Sequence, residues 1–361
     1  MKTHLFVSYL YIKRTLTKVF IKVMFSYITM GSLRVNIVYE SEKVSDGFGA
    51  QFHRICSLIH VSRLIHARIL QPQISQVAIH PLDPYQTISE MDTFLEDANA
   101  YLFRSVKFSK IQNDNSNKKI VLKNIDSLNM STLLKLRFKY SFRDIEIILN
   151  CKDAHEIADA FTDSYQTNLL PFFPFLNYVN KETTKTLVLH IRQGHGRFAI
   201  YPGQKISREL PIEYFDSVLD SMINNMDSTN HELIIFTDAP QKDLVFSPPA
   251  QQEYLWRGMP GFDGINLTHL GNDLEQHFTS KYLKHLKSVN VLRELDPLNM
   301  ILIMINARTL CVSRSSLSFI AGILNVGGVI FAPPDFWHPS PKTWLRIPRK
   351  LKKLSIKSNL D

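Results

Sequence analysis

An arginine just beyond an apolar strand is well placed to hold phosphate. His190-Ile-Arg-Gln-Gly-His195 is such a segment, at the carboxyl end of Thr186–Ile191 (TLVLHI). A guanidinium cannot lose its charge and donates two parallel hydrogen bonds to an anion. The competing reading of Arg192 is a structural salt bridge, and His195 reads as a loop histidine rather than a metal ligand. A second segment, Ser45-Asp-Gly-Phe-Gly-Ala-Gln-Phe-His-Arg54, follows a strand and opens a helix. Its glycines let backbone approach a ligand, and the free N–H groups of a helix start attract anions. It lacks the third glycine of a dinucleotide fingerprint, and a plain tight turn would explain it equally well. A third, Cys311-Val-Ser-Arg-Ser-Ser-Leu-Ser-Phe319, passes from strand to helix through four serines. Hydroxyls and helix-start amides together cradle an anion, although Ser316 could simply cap the helix. The fourth is Phe236-Thr-Asp-Ala-Pro240, again at a strand end.

Motifs of other chemistries are missing. The sequence has no D-x-D, H-E-x-x-H, Walker lysine loop or G-x-S-x-G, so metal-dependent chemistry is not expected. Asp144-Ile-Glu146, the nearest case to D-x-D, reads as strand alternation. Cys56, Cys151 and Cys311 lie far apart, which excludes a disulfide scaffold and a zinc ribbon and suits a reducing compartment.

Strands alternating with helices must position these segments. Arg34–Tyr39 (RVNIVY) reads as a strand, followed by a glycine loop and a helix near Ala50–Ala67. Further strands are predicted at Thr186–Ile191, Glu232–Thr237, Thr309–Ser313 and Val329–Ala332, with helices at Ile212–Ile223, Leu298–Ala307 and Ser316–Leu324. Strands separated by helices of this length imply a parallel sheet covered on both faces. The polar run Gln112–Lys119 reads as a surface loop, and the proline-bearing Pro171–Glu182 as a domain break.

The chain has 361 residues and a net charge of +9, but the basicity sits at the ends. Residues 1–29 hold five bases and no acid, and 342–361 hold seven bases against Asp361, which leaves −2 for the body. Nucleic-acid binding is therefore not expected. The uncharged runs near the N-terminus are too short for the roughly 20 residues of a membrane helix. That stretch reads either as a membrane-surface helix or as sequence ahead of a native start at Met24 or Met30, and both basic ends suit peripheral contact with anionic lipid. The expected organisation is 1–29 as basic extension, 30–175 and 182–341 as domains, and 342–361 as basic tail.

The four segments, in this order and spacing, resemble the GDP-fucose-dependent fucosyltransferases of the alpha-1,2 and alpha-1,6 type. Gly47-Phe-Gly-Ala-Gln51 is similar to the family's G-F-G-C-Q, and His190-Ile-Arg192-Gln193-Gly194-His195 to its H-x-R-R-G-D. Thr237-Asp238 matches its S/T-D, and Val312-Ser-Arg-Ser315-Ser316-Leu-Ser318-Phe-Ile320 its I-S-N-S-S-F-S-W-W. Val329–Trp337 is similar to its last strand and trailing proline and tryptophan, so the likeness runs from about Arg34 to His338.

The resemblance implies an α/β fold of two Rossmann-like domains facing each other across a cleft, the GT-B-like glycosyltransferase arrangement, with the donor mainly on the C-terminal domain. It implies metal-independent, inverting transfer of fucose from GDP-fucose to a glycan hydroxyl, with no cofactor. Arg192 would hold the β-phosphate and stabilise the leaving GDP, and His190 would help hold the nucleotide. Ser313, Ser315, Ser316 and Ser318 would line the diphosphate and fucose pocket with Gly194 and Asp238. Gly47, Gly49 and Gln51 would bring the N-terminal domain to the donor. Asp46 is the expected base, with His53 the second choice and otherwise a substrate contact.

The departures from the family are Gln193 for the second arginine, His195 for the aspartate, and Met300 where alpha-1,6 relatives read guanine with an aspartate. Asp296 and Asn299 lie one turn and one residue away, and Asp296 is an expected substrate contact. Alternatives that stay open are a related transferase with another nucleotide sugar and a catalytically dead nucleotide-sugar or glycan-binding module. A cofactor-binding oxidoreductase is a third. Asn129 and Asn266 head N-x-S/T sites, yet the expected location is cytoplasmic and membrane-peripheral, or the Golgi lumen in a eukaryote.

Overall fold

The computed structural model describes residues 34–40, 47–70, 73–78, 84–85, 87–103, 119–140, 146–173, 176, 185–192, 209–224, 229–238, 244–246, 265–267, 274–293, 295–333 and 336–346. The basic extension 1–29, the polar run 112–118 and most of the C-terminal tail lie outside them. So do Asp46, Gln193, Gly194 and His195. The chain forms two compact units. One comprises Met1–Val44, Gln51–Gln76 and Asn99–Phe173, and the other Ser45–Ala50, Val77–Ala98 and Pro174–Asp361. Each is a Rossmann-like α/β unit built on its own parallel sheet, as the sequence predicts.

The first unit orders its strands β2 (Arg68–Leu70), β1 (Arg34–Tyr39), β4 (Glu146–Asp153) and β3 (Lys119–Ser127), all parallel. Its helix α1 (Phe48–Leu64) begins in the second unit and buries nearly every position from Gln51 to Ser62. Helix α2 (Ile88–Phe103), which belongs to the second unit as far as Ala98, starts on a capping box. Thr87 Oγ1 accepts from the Glu90 amide at 3.2 Å, and Glu90 Oε2 accepts from the Thr87 amide at 3.0 Å. Helix α3 (Met130–Tyr140) is capped by Asn129, whose Oδ1 accepts from the Thr132 amide at 3.0 Å. Helices α4 (His155–Ala160) and α5 (Tyr165–Leu169) follow β4. The core holds a polar column in which His53 stacks on His155 at 4.4 Å and His60 on Tyr165 at 4.5 Å. Tyr165 shares a 2.7 Å hydrogen bond with Ser57, and Asn168 donates to His60 Nδ1 at 3.0 Å.

The second unit has six parallel strands. They are β5 (Thr186–Ile191), β6 (Glu232–Thr237), β9 (Ser288–Leu292), β10 (Thr309–Cys311), β11 (Val329–Ala332) and β12 (Leu345–Arg346), ordered β12-β11-β10-β5-β6-β9. Numbered within the unit this is 3-2-1-4-5-6 read from the β9 edge, the doubly wound order. A short antiparallel pair, β7 (Leu244–Phe246) and β8 (Ile265–Leu267), is separate. Helix α6 (Ile212–Ile223) buries Tyr214, Phe215, Val218, Leu219 and Met222, one helical face, in a core shared with β5, β6 and α7 (Leu274–Tyr282). Helix α8 (Pro297–Asn306) packs on α9 (Ser316–Leu324), which is buried from Ser318 to Leu324.

Most predicted elements stand within one or two residues. Strand β10 ends at Cys311 rather than Ser313, although the Val312 amide still donates to the Phe331 carbonyl of β11 at 3.0 Å. Helix α1 begins and ends earlier than expected, and α8 starts at Pro297 because Asp296 caps it. Periodicity did not find β3, α2, α3, α7 or β9, and of β4 it found only the alternation at Glu146.

Candidate functional site

Strand β5 is central, so its residues from Leu187 to Ile191 are buried and apolar except for His190. Its neighbours are β6 on one side and β10 on the other, and the β5–β10 boundary is where the order of strands reverses. Ligands of open parallel sheets bind outside the carboxyl ends of strands at such a reversal. Three of the four segments singled out in the sequence end there.

Arg192 is the first residue beyond β5, and Asp238 the first beyond β6. Ile191 and Thr237 are register partners, which sets the two side by side. Arg192 Nε lies 2.9 Å from Asp238 Oδ2, with the side chains 17% and 24% exposed. The Nε–H is not aligned along that approach, so this is a charge contact rather than a hydrogen bond. The salt-bridge reading of Arg192 is thus met in part, yet the pair remains within reach of solvent.

Across the reversal, Ser313 Oγ and His190 Nδ1 are 2.9 Å apart. Ser313 Oγ is 3.3 Å from Ser318 Oγ, and Ser318 donates to the Ser315 carbonyl at 3.4 Å. Burial drives the His190 pKa down to about 3, Arg192 pushes the same way, and Asp238 opposes them. His190 is therefore neutral at physiological pH and serves as a hydrogen-bonding group, not a cation. Ser315 is the N-cap residue of α9, but its side chain makes no capping bond. No acidic residue occupies the first turn of α9, so the start of the helix keeps its affinity for an anion. Arg314 points elsewhere, donating from Nη1 to the Glu209 carbonyl at 3.2 Å.

The glycine segment reaches the first turn of α9, at Leu317, within the second unit. Gly47 O accepts from the Ala50 amide at 3.1 Å, which starts α1. A Cβ on Gly49 would lie 2.6 Å from Leu317 Cβ and 2.9 Å from Leu317 Cα, so the two backbones meet only because Gly49 has no side chain. Nothing in the local sequence signals Leu317 as its partner, because the contact spans most of the chain.

Other candidate residues are occupied differently. Gln51 is fully buried in the first unit, donating to the Gln76 carbonyl and accepting from Tyr39 Oη at 3.2 Å. His53 is buried in the histidine column of that unit. Asp296 caps α8, accepting from the Asn299 amide at 2.9 Å and from Asn299 Nδ2. Asp46 and Gly194 fall outside the described residues. Among the described residues, no three His, Cys, Asp or Glu side chains converge as metal ligands would, and no helix is long and apolar enough to cross a membrane.

No family model and no curated protein matches the chain. Among solved structures, Escherichia coli heptosyltransferase WaaC with ADP aligns at 11% identity and a TM-score of 0.36, covering 87% of this chain and 93% of that one. The same enzyme with ADP-2-deoxy-2-fluoro heptose gives 9% identity and 0.34, over 87% and 92%. Arabidopsis thaliana FUT1, a mutant in complex with GDP, gives 9% identity and 0.38, over 88% and 75%. Likeness this slight carries no functional argument, which rests instead on the side chains where β5 meets β10.

Proposed function

We propose that the chain is a nucleotide-sugar glycosyltransferase that moves fucose from GDP-fucose to a hydroxyl of a glycan acceptor, with inversion and without a metal. The observation that carries this reading is the contact of His190 with Ser313 across the strand reversal, with Arg192 emerging beside it.

The diphosphate would lie over the start of α9, where the Ser315 and Ser316 hydroxyls and the helix-start amides face it. Arg192 would meet the β-phosphate, and Asp238 would hold the guanidinium in place. The acceptor oxygen attacks the anomeric carbon while the bond from that carbon to the phosphate oxygen breaks. The leaving GDP takes the bonding pair, and a basic side chain takes the acceptor proton; Asp46 is our candidate. Charge developing on the leaving phosphate is met by Arg192, electrostatic work that a preorganised cation can supply. Neutral His190, oriented by Ser313, adds a hydrogen bond without a second positive charge.

One observation favours a second reading, a donor with another base. Both carboxylate oxygens of Asp296 are engaged in capping α8, and Met300 stands where relatives carry a guanine-reading aspartate.

Thermal unfolding of wild type and Arg192→Ala with GDP, GDP-fucose, ADP, UDP and NAD, all in EDTA, tests both readings. A ligand at 100 times its dissociation constant adds about 2.7 kcal/mol of stability. A GDP-fucose shift lost in the variant supports the first reading, and turnover with an acceptor excludes a dead module. A shift with ADP or UDP alone supports the second. A shift with NAD alone, or none, overturns both.

A further inference from the structure

In the first unit β3 and β4 are parallel, so the helix that joins them, α3, must run back along the sheet. Its last turn therefore lies at the sheet's amino edge, where Arg34, Glu146 and Lys119 stand in register on neighbouring strands. The helix reads MSTLLKLRFKY, with three basic residues and no acid. It buries Leu133, Leu136 and Tyr140 and exposes Ser131, Lys135, Phe138 and Lys139. The exposed positions follow i, i+4, i+7 and i+8, one stripe of the helix. Phe138 is 67% exposed, more than any other large apolar side chain among the described residues.

At the amino edge two bases, Arg34 and Lys119, stand in register on either side of Glu146. Glu40, Asp126 and Asp153 sit at or near the carboxyl ends of β1, β3 and β4, away from the last turn of α3. The chain enters β1 at Arg34, on the amino edge, and its first 29 residues hold Lys2, Lys13, Arg14, Lys18 and Lys22 with no acid. An exposed aromatic flanked by lysines, on the edge where β1 begins, is the chemistry of a face that meets an anionic bilayer.

We propose that this end of α3 docks on an anionic phospholipid surface, with Phe138 entering the headgroup layer and Lys135 and Lys139 meeting the lipid phosphates. Each basic side chain close to such a surface strengthens binding roughly fivefold, and salt weakens it.

The test is co-sedimentation of the full chain with phosphatidylcholine vesicles, with and without phosphatidylglycerol, at low and high salt. Binding is expected only to the anionic vesicles, and weaker at high salt. Lys135→Glu with Lys139→Glu should lower affinity by about tenfold or more. Phe138→Ala should lower it several-fold, and the added emission of Phe138→Trp should shift to the blue on binding. All three positions are exposed, so the variants should keep the wild-type circular dichroism. Absence of vesicle binding overturns the proposal. So does binding that the α3 variants leave unchanged, which would assign it to the basic ends alone. A Phe138→Ala effect on sedimentation mass rather than on vesicles would instead make this face an interface between copies.

Discussion

The two parallel sheets end differently at their carboxyl edges. In the first unit that edge carries Glu40, Asp126 and Asp153, and burial together with Asp153 and Glu40 lifts the Cys151 thiol to about 12. In the second, the acid beside β5 is held against Arg192, and the neighbouring groups are hydroxyls and the start of a helix without first-turn acids. Fold alone would allow a phosphate at either edge. The second edge sets a guanidinium beside hydroxyls and a helix start, whereas at the first Asp126 already pairs with Lys152 at 3.4 Å.

What the units share is a buried, neutral histidine, and acid should produce the largest effect on both. Burial pulls the His60 pKa down to about 4, partly offset by the Phe161 backbone, and pulls His190 down to about 3. In the unfolded chain each takes up a proton near 6.5, whereas in the folded chain neither does until well below that. The unfolded state therefore binds more protons in this window, and stability is complete above 6.5 and lost as pH falls. Each histidine should remove about 1.4 kcal/mol per pH unit, His60 down to about 4 and His190 further. Urea unfolding at stepped pH would show this, and His60→Gln and His190→Gln should each flatten the slope. An unchanged slope in either variant would mean that histidine is not held neutral.

The next effect should separate the units. Arg192→Ala is expected to lower turnover by about 10²- to 10³-fold, as loss of one donor to a developing charge does. Acid-to-amide changes at the first sheet's edge, such as Asp153→Asn, should leave turnover within a small factor. Equal losses from both would break the comparison.

Gly49 tests whether the glycine segment is bound to the serine helix. Gly49→Ala places a Cβ against Leu317 Cβ and Cα, and overpacking of this kind costs about 1–3 kcal/mol. Leu317→Ala in the same chain removes only the Cδ1 part of the clash, since Cβ and Cα remain. The double variant should therefore recover part of the loss in a urea titration. Full recovery would show that the backbones are not in contact.

Much of this contrast was legible in the sequence where pattern is local. Strands β5, β6 and β11 and helices α6 and α9 follow from apolar runs and a helical period, and the serine, arginine and aspartate segments fall at their ends. Gln51 and His53 were not legible as core residues. Helix α1 is buried on nearly every side, so a polar residue within it carries no sign of which way it turns. The pairing of β3 with β4 shifts register between Leu122 and Ile125, which breaks the alternation that would have revealed β3. The weaving of Ser45–Ala50 and Val77–Ala98 into the second unit depends on contacts far apart in sequence, which periodicity does not report.

The smallest expected effect sharpens the comparison most, because it sets like against like. Ser57 in the first unit and Ser313 in the second are both fully buried hydroxyls bonded to a ring group, Tyr165 Oη at 2.7 Å and His190 Nδ1 at 2.9 Å. Replacing either with alanine should cost about 1 kcal/mol of stability, the ordinary worth of such a bond. Only Ser313→Ala should also weaken donor binding, because it frees the histidine beside Arg192 to turn. Melting curves with and without nucleotide distinguish the two losses. A nucleotide shift reduced equally in Ser57→Ala would mean that both serines act through stability alone, and His190 would lose its place at the site.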